Sequence, residues 1–201
     1  DIKKIEVVIQ GNSYVQISSS TLWNSYRGNS DVPYVFASIL MALEKYLLDT
    51  FEETHLKVFE DNLLIILKQS KSVAVSAVVA SIVLAHPDEL FNVAEVLFST
   101  KEFFLLDHER KIFDSTNINV PMGLGTTQIH DEYRKNSDAL EHRKNDLEFQ
   151  ALTYQYFRTR SVSEEEADRR QKVIWNIIDS YYKKLSDEMK VEDKELRLSL
   201  T

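Results

Sequence analysis

Pro33-Tyr34-Val35-Phe36-Ala37-Ser38-Ile39-Leu40-Met41-Ala42-Leu43-Glu44-Lys45-Tyr46-Leu47 decides the fold class. Phe36, Ile39, Leu40, Leu43 and Leu47 fall at i, i+3, i+4, i+7 and i+11, one stripe of an α-helix. Pro33 suits a first helical turn, where its missing N–H is not needed. This helix is expected to run to about Glu53. Downstream, Leu56 to Gln69 sets Phe59, Leu63, Ile66 and Leu67 on one face. Ser72 is an N-cap for a third helix reaching Ala85. That helix is apolar on every side, so neighbours must cover it from several directions. Pro87 ends it or opens the next, about Asp88 to Phe98, and a fifth covers about Glu102 to Phe113.

The connections between these helices are short, which favours antiparallel neighbours. Helix starts at 33 and 72 lie 39 residues apart, near the two-helix period of HEAT and armadillo arrays. The two helix pairs are not alike in sequence. An antiparallel repeat array and an irregular α-domain therefore both remain open.

Working outward, residues 1–32 read as a β-hairpin and linker. Ile5 to Gln10 is short and β-branched, and Tyr14-Val15-Gln16-Ile17-Ser18 alternates apolar and polar. Gly11-Asn12-Ser13 between them predicts a three-residue, bulged loop. A lone hairpin is marginal, so it must pack on the helices or pair with further strands. Trp23 and Tyr26 are expected to pack the hairpin end on the first helix, with Arg27 bridging to an acid such as Glu44.

Residues 33–113 form the helical array, 114–145 a loop and charged segment, and 146–201 the C-terminal helices. Residues 1–100 carry 7 basic and 12 acidic side chains, and residues 101–201 carry 17 and 20. The second half thus has more exposed helix surface. A helix is expected from Asp146 to Arg158. Ser163, with Glu166 three residues on, starts the last one, whose stripe is Ile174, Ile177, Ile178, Tyr181 and Leu185.

Composition narrows the function. Only 4 Gly and 3 Pro in 201 residues leave too few turns for an all-β fold. The lack of Cys excludes disulfides, thiolate zinc sites and a cysteine nucleophile, and it fits a cytoplasmic setting. A net charge of −8 disfavours nucleic acid and anionic membranes. The longest apolar run, Val73 to Ala85, falls short of the roughly 20 residues of a membrane span. The chain begins on Asp1 with no signal peptide and ends on Leu196-Arg197-Leu198-Ser199-Leu200 without a helix stop. It reads as a piece of a larger protein.

No catalytic, cofactor-binding or metal-binding residue is assigned. Gly123-Leu124-Gly125-Thr126-Thr127 lacks the Lys-Ser/Thr end of a phosphate loop. His55, His86, His108, His130 and His142 never pair at i, i+3 or i+4, so no helix offers two imidazoles to one metal. Arg158, Arg160, Arg169 and Arg170 interleave with Tyr154, Tyr156 and Phe157, the one basic and aromatic cluster. It reads either as internal pairing with Glu164 to Glu166 and Asp168, or as an interaction surface.

Trp23-Asn24-Ser25-Tyr26-Arg27-Gly28, the stretch Pro33 to Leu47, Ser72-Val73-Ala74 and Ala85-His86-Pro87 together resemble the helical region of large bacterial STAND-type P-loop ATPases, several of which act in antiphage defence. The resemblance covers residues 20–110, with an echo from Trp175 to Leu200. It implies an ATPase module elsewhere in the parent chain and a helical segment that recognises a target and restrains that ATPase. No P-loop falls in this chain, so no site residue is carried over and no cofactor is expected. The leading expectation is a non-catalytic scaffold or recognition segment of a multidomain NTPase. Its partners would be other domains of the parent chain, a protein target or a second copy. The alternatives are a nucleic-acid-binding helical module centred on Arg158 to Arg170, and a small helical enzyme using carboxylates with His130 or His142.

Overall fold

The computed structural model describes residues 2–28, 31–116, 136, 139–156 and 161–184. The chain is mostly helical, with a two-stranded antiparallel hairpin at its N-terminal end. Strands β1 (Lys3–Ile9) and β2 (Asn12–Ser18) are followed by α1 (Ser20–Asn24) and a 3-10 turn, Ser25–Arg27. Helices α2 (Tyr34–Phe51), α3 (Leu56–Gln69), α4 (Val73–Ala85), α5 (Phe91–Phe98) and α6 (Lys101–Thr116) come next. A second 3-10 turn, Glu141–Lys144, leads into α7 (Leu147–Tyr156), and α8 (Glu164–Lys184) closes the described chain.

The hairpin turn is shorter than its sequence suggests. Ile9 pairs with Asn12, leaving Gln10 and Gly11 as a two-residue loop. Both have positive φ, 51° and 78°, the backbone of a type I′ turn, and glycine takes the second position without strain. One residue fewer in the loop reverses the facing of β2. Ile5, Val7 and Ile9 point into the core, which puts Gln16 and Ser18 inside and leaves Val15 and Ile17 half-exposed. Gln16 is fully buried but bonded: its amide donates to the Leu67 carbonyl at 3.2 Å and its oxygen accepts from Ser76 at 2.7 Å. The Ile17 amide reaches past the hairpin to the Lys71 carbonyl at 2.8 Å.

Helix α4 is the centre of the molecule. Ser72 caps it, its hydroxyl accepting from the Ala74 amide at 3.2 Å. Every residue from Ser76 to Leu84 is buried. Elements α1, α2, α3, α5, α7, β2 and both 3-10 turns lie against it. A repeat array stacks each helix pair on its sequence neighbours. One helix wrapped by elements from across the chain is instead the irregular α-domain. Among the described residues no helix is long and apolar enough to cross a membrane.

Helix α5 begins at Phe91, three residues after the start that Pro87 suggests. Tertiary contacts claim the carbonyls of the preceding turn. Tyr154 donates to the Pro87 carbonyl at 2.5 Å, and Arg170 to the Asp88 carbonyl at 2.7 Å. Helix α8 starts as its sequence implies, with Ser163 accepting from the Glu166 amide at 3.3 Å. It docks through Ile174 and through Tyr181, whose hydroxyl donates to the Phe98 carbonyl.

Candidate functional site

The chemistry of the described chain concentrates in one buried ionic network between α2, α6 and the turn Glu141–Lys144. Glu44 stands on the inner face of α2 between Leu40 and Leu47, and all three are buried. Arg143 reaches it from the turn: Nε donates to Oε1 at 3.2 Å and an Nη to Oε2. Ser81 of α4 donates to the same Oε1. The His142 Nε2 lies 3.7 Å from it. Burial alone pushes the Glu44 carboxyl up. His142, Arg143 and Ser81 outweigh that and bring it down to about 2.

On α6, Asp107, Arg110 and Asp114 recur at helical spacing. Asp107 accepts from Arg110 Nε at 2.7 Å, from the Trp23 indole at 3.1 Å and from the Leu147 amide at 2.8 Å. Arg110 is fully buried and also donates to Asp114 at 2.8 Å and to the Asn145 carbonyl at 2.7 Å. Burial works against its charge, but Asp107 restores it and the guanidinium is held ionised. Arg27 meets Asp114 at 3.0 Å. Glu44 is taken by Arg143, so the expected bridge from Arg27 to Glu44 is corrected to Arg27 with Asp114. Tyr26 lies between the charges, 5.7 Å from the Arg27 guanidinium and 5.6 Å from that of Arg143. Burial pushes its phenol up, against the pull of Arg110 and Arg27. Trp23 packs on Phe103 of α6 at 5.1 Å between ring centroids. Trp23 thus meets α6, while the 3-10 turn that carries Tyr26 lies against the first long helix, α2.

The groups of this network are paired with one another. A serine nucleophile needs a base that accepts its proton. Ser81 instead donates to a carboxylate already occupied by an arginine. Among the described residues no group of three or more His, Asp or Glu is placed to hold a metal. His130 and the run Gly123 to Thr127 lie outside the described residues. His86 stacks on Phe51 at 3.6 Å, and burial pushes its imidazole down.

The arginine and tyrosine cluster divides. Arg158, Arg160 and Phe157 lie outside the described residues. Arg170 is buried, with Glu166 at 2.8 Å and the rings of Phe91 and Tyr154 at 5.0 and 5.8 Å. Tyr154 is buried beside it. Arg169 and Tyr156 are exposed, and Arg169 also pairs with Glu166 at 2.7 Å. The hydrogen bond from Arg169 lowers the Glu166 carboxyl; burial opposes it, and with Arg170 added the carboxyl comes down to about 2.

No protein-family model matches the chain, and no curated protein is significantly similar to it.

Depressed carboxyls make stability depend on acid. The Glu44 carboxyl sits at about 2 in the fold against an ordinary 4.5. The unfolded chain therefore binds the proton more readily. The contribution of Glu44 is complete above its ordinary value and is lost as pH falls toward 2. Urea midpoints should drop steadily between about pH 5 and pH 3, and Glu44→Gln should flatten that drop. Glu166 adds a smaller loss in the same window, because water screens its pairs.

Proposed function

We propose that the chain is a non-catalytic helical recognition module that docks another protein through the outer face of α2. One observation carries this reading. Tyr34, Val35, Ile39 and Tyr46 are 61%, 72%, 60% and 63% exposed. Val35, Ile39 and Tyr46 share one stripe with the exposed Ala42, at the four-three-four spacing that seats one helix against another. The inner face of the same helix is packed on α4 through buried Leu40 and Leu47, so the stripe rests on a fixed support. The inward commitment of the ionic network and of Arg170 favours this reading over catalysis or nucleic-acid binding. The parent, a multidomain NTPase restrained by this segment, rests on the resemblance to STAND-type ATPases alone.

A photo-crosslinking amino acid at Val35 or Ile39 should give a discrete protein adduct in cells, and one at exposed Lys57 of α3 should not. Ile39→Asp should abolish the Val35 adduct while leaving the thermal midpoint near wild type. Equal labelling from α2 and α3, or none from α2, overturns the reading.

A further inference from the structure

The segment from residue 139 to Asp146 crosses the helical core without an apolar anchor of its own, and the first one, Leu147, belongs to α7. Leu140 is 40% exposed, and every residue from Glu141 to Asp146 is polar. Its own backbone bonds are those of a short turn, the Arg143 amide to the Leu140 carbonyl at 3.1 Å and the Asn145 amide to the His142 carbonyl at 3.2 Å. Charged groups fasten it to the helices. Arg143 enters the Glu44 carboxylate of α2. Arg110 of α6 donates to the carbonyls of Arg143 and Asn145, and Asp107 accepts from the Leu147 amide. The segment therefore ties α2 to α6.

This fastening differs in kind from the packing beneath it. An ion pair drawn out of water returns much of its attraction as desolvation cost. Opening the segment rehydrates Glu44, Arg143 and Arg110 together, so none is stranded in a dry interior. Helix α4 below keeps its cover from α2, α3 and α5. Elements held by few apolar contacts open before the rest of a fold does. We propose that residues 139–146 form an ionic latch that opens as a unit while the helical core stays folded, uncovering Glu44 of α2 and Arg110 of α6. The open state draws Arg143 away from both the Glu44 carboxylate and the Tyr26 ring. The latch stands or falls independently of docking by α2.

Amide hydrogen exchange on the 201-residue chain tests it. The Leu147 amide, bonded to Asp107, reports the latch, and the amides of α4 report the core. Corrected for intrinsic rates, Leu147 should exchange about 10- to 100-fold faster than α4. Its rate should not change in low urea, whereas the α4 rates rise, because only global unfolding exposes much surface. Val79→Ala, a cavity in α4 away from the latch, should speed α4 exchange by about tenfold or more and leave Leu147 unmoved. A Leu147 amide that exchanges at the α4 rate, with the same urea slope and the same response to Val79→Ala, overturns the proposal.

Discussion

Asp107→Ala should destabilise the chain by about 4 kcal/mol, within the range for breaking a buried ion pair from one side. Three groups lose their partner at once. The Trp23 indole N–H and the Leu147 amide are left as unsatisfied donors, and Arg110 keeps only Asp114 among its carboxylates. Each buried orphan donor costs on the order of 1–3 kcal/mol, and a charged one more. Urea titration followed by tryptophan fluorescence measures the loss, since Trp23 sits at the site. Asp107→Asn should retain part of the stability, because its carbonyl oxygen still accepts from one donor. Equal losses for the two substitutions would mean that the cost is steric and not one of unpaired donors.

Arg143→Met should cost about 3 kcal/mol by the same titration. Glu44 would keep Ser81 and the neighbouring His142 but lose its guanidinium. The cost falls at the low end of the range because water reaches Glu44 once the latch lifts. Glu44→Leu combined with Arg143→Met should recover most of the loss, since an apolar pair of similar volume strands no charge. A double variant no more stable than the single one would show that the pair adds stability beyond its mutual compensation. Arg143→Lys should not rescue, because a single ammonium cannot reproduce the two-point contact to the carboxylate.

The helical frame is legible because its signals are local. The stripe Phe59, Leu63, Ile66, Leu67 bounds α3, and the hydroxyls of Ser72 and Ser163 begin α4 and α8 as their sequence positions imply. The ionic network is hidden because its partners are remote in sequence. Arg143 and Glu44 are 99 residues apart, and Arg27 and Asp114 are 87 apart. Charges in a charged segment read as solvated surface. One signal was present: Glu44 occupies an apolar stripe, at the position between Leu40 and Leu47. Asp107 and Arg110 likewise share a face with Phe103. A charge set into a buried stripe calls for a distant counter-charge, although nothing local says which one. The hairpin register was misleading for a different reason. Gln10 adopts a left-handed backbone conformation that its residue type does not advertise, and that shortened the loop by one residue.

The Glu44–Arg143 contact also bears on how such a chain can change over generations. Neither position can vary first without passing through a weakened intermediate, whereas a joint change costs little. Positions 44 and 143 should therefore be inherited as a matched pair, and 27 with 114 in the same way. The apolar stripe on the far side of α2 is under no such constraint and is free to follow whatever it meets.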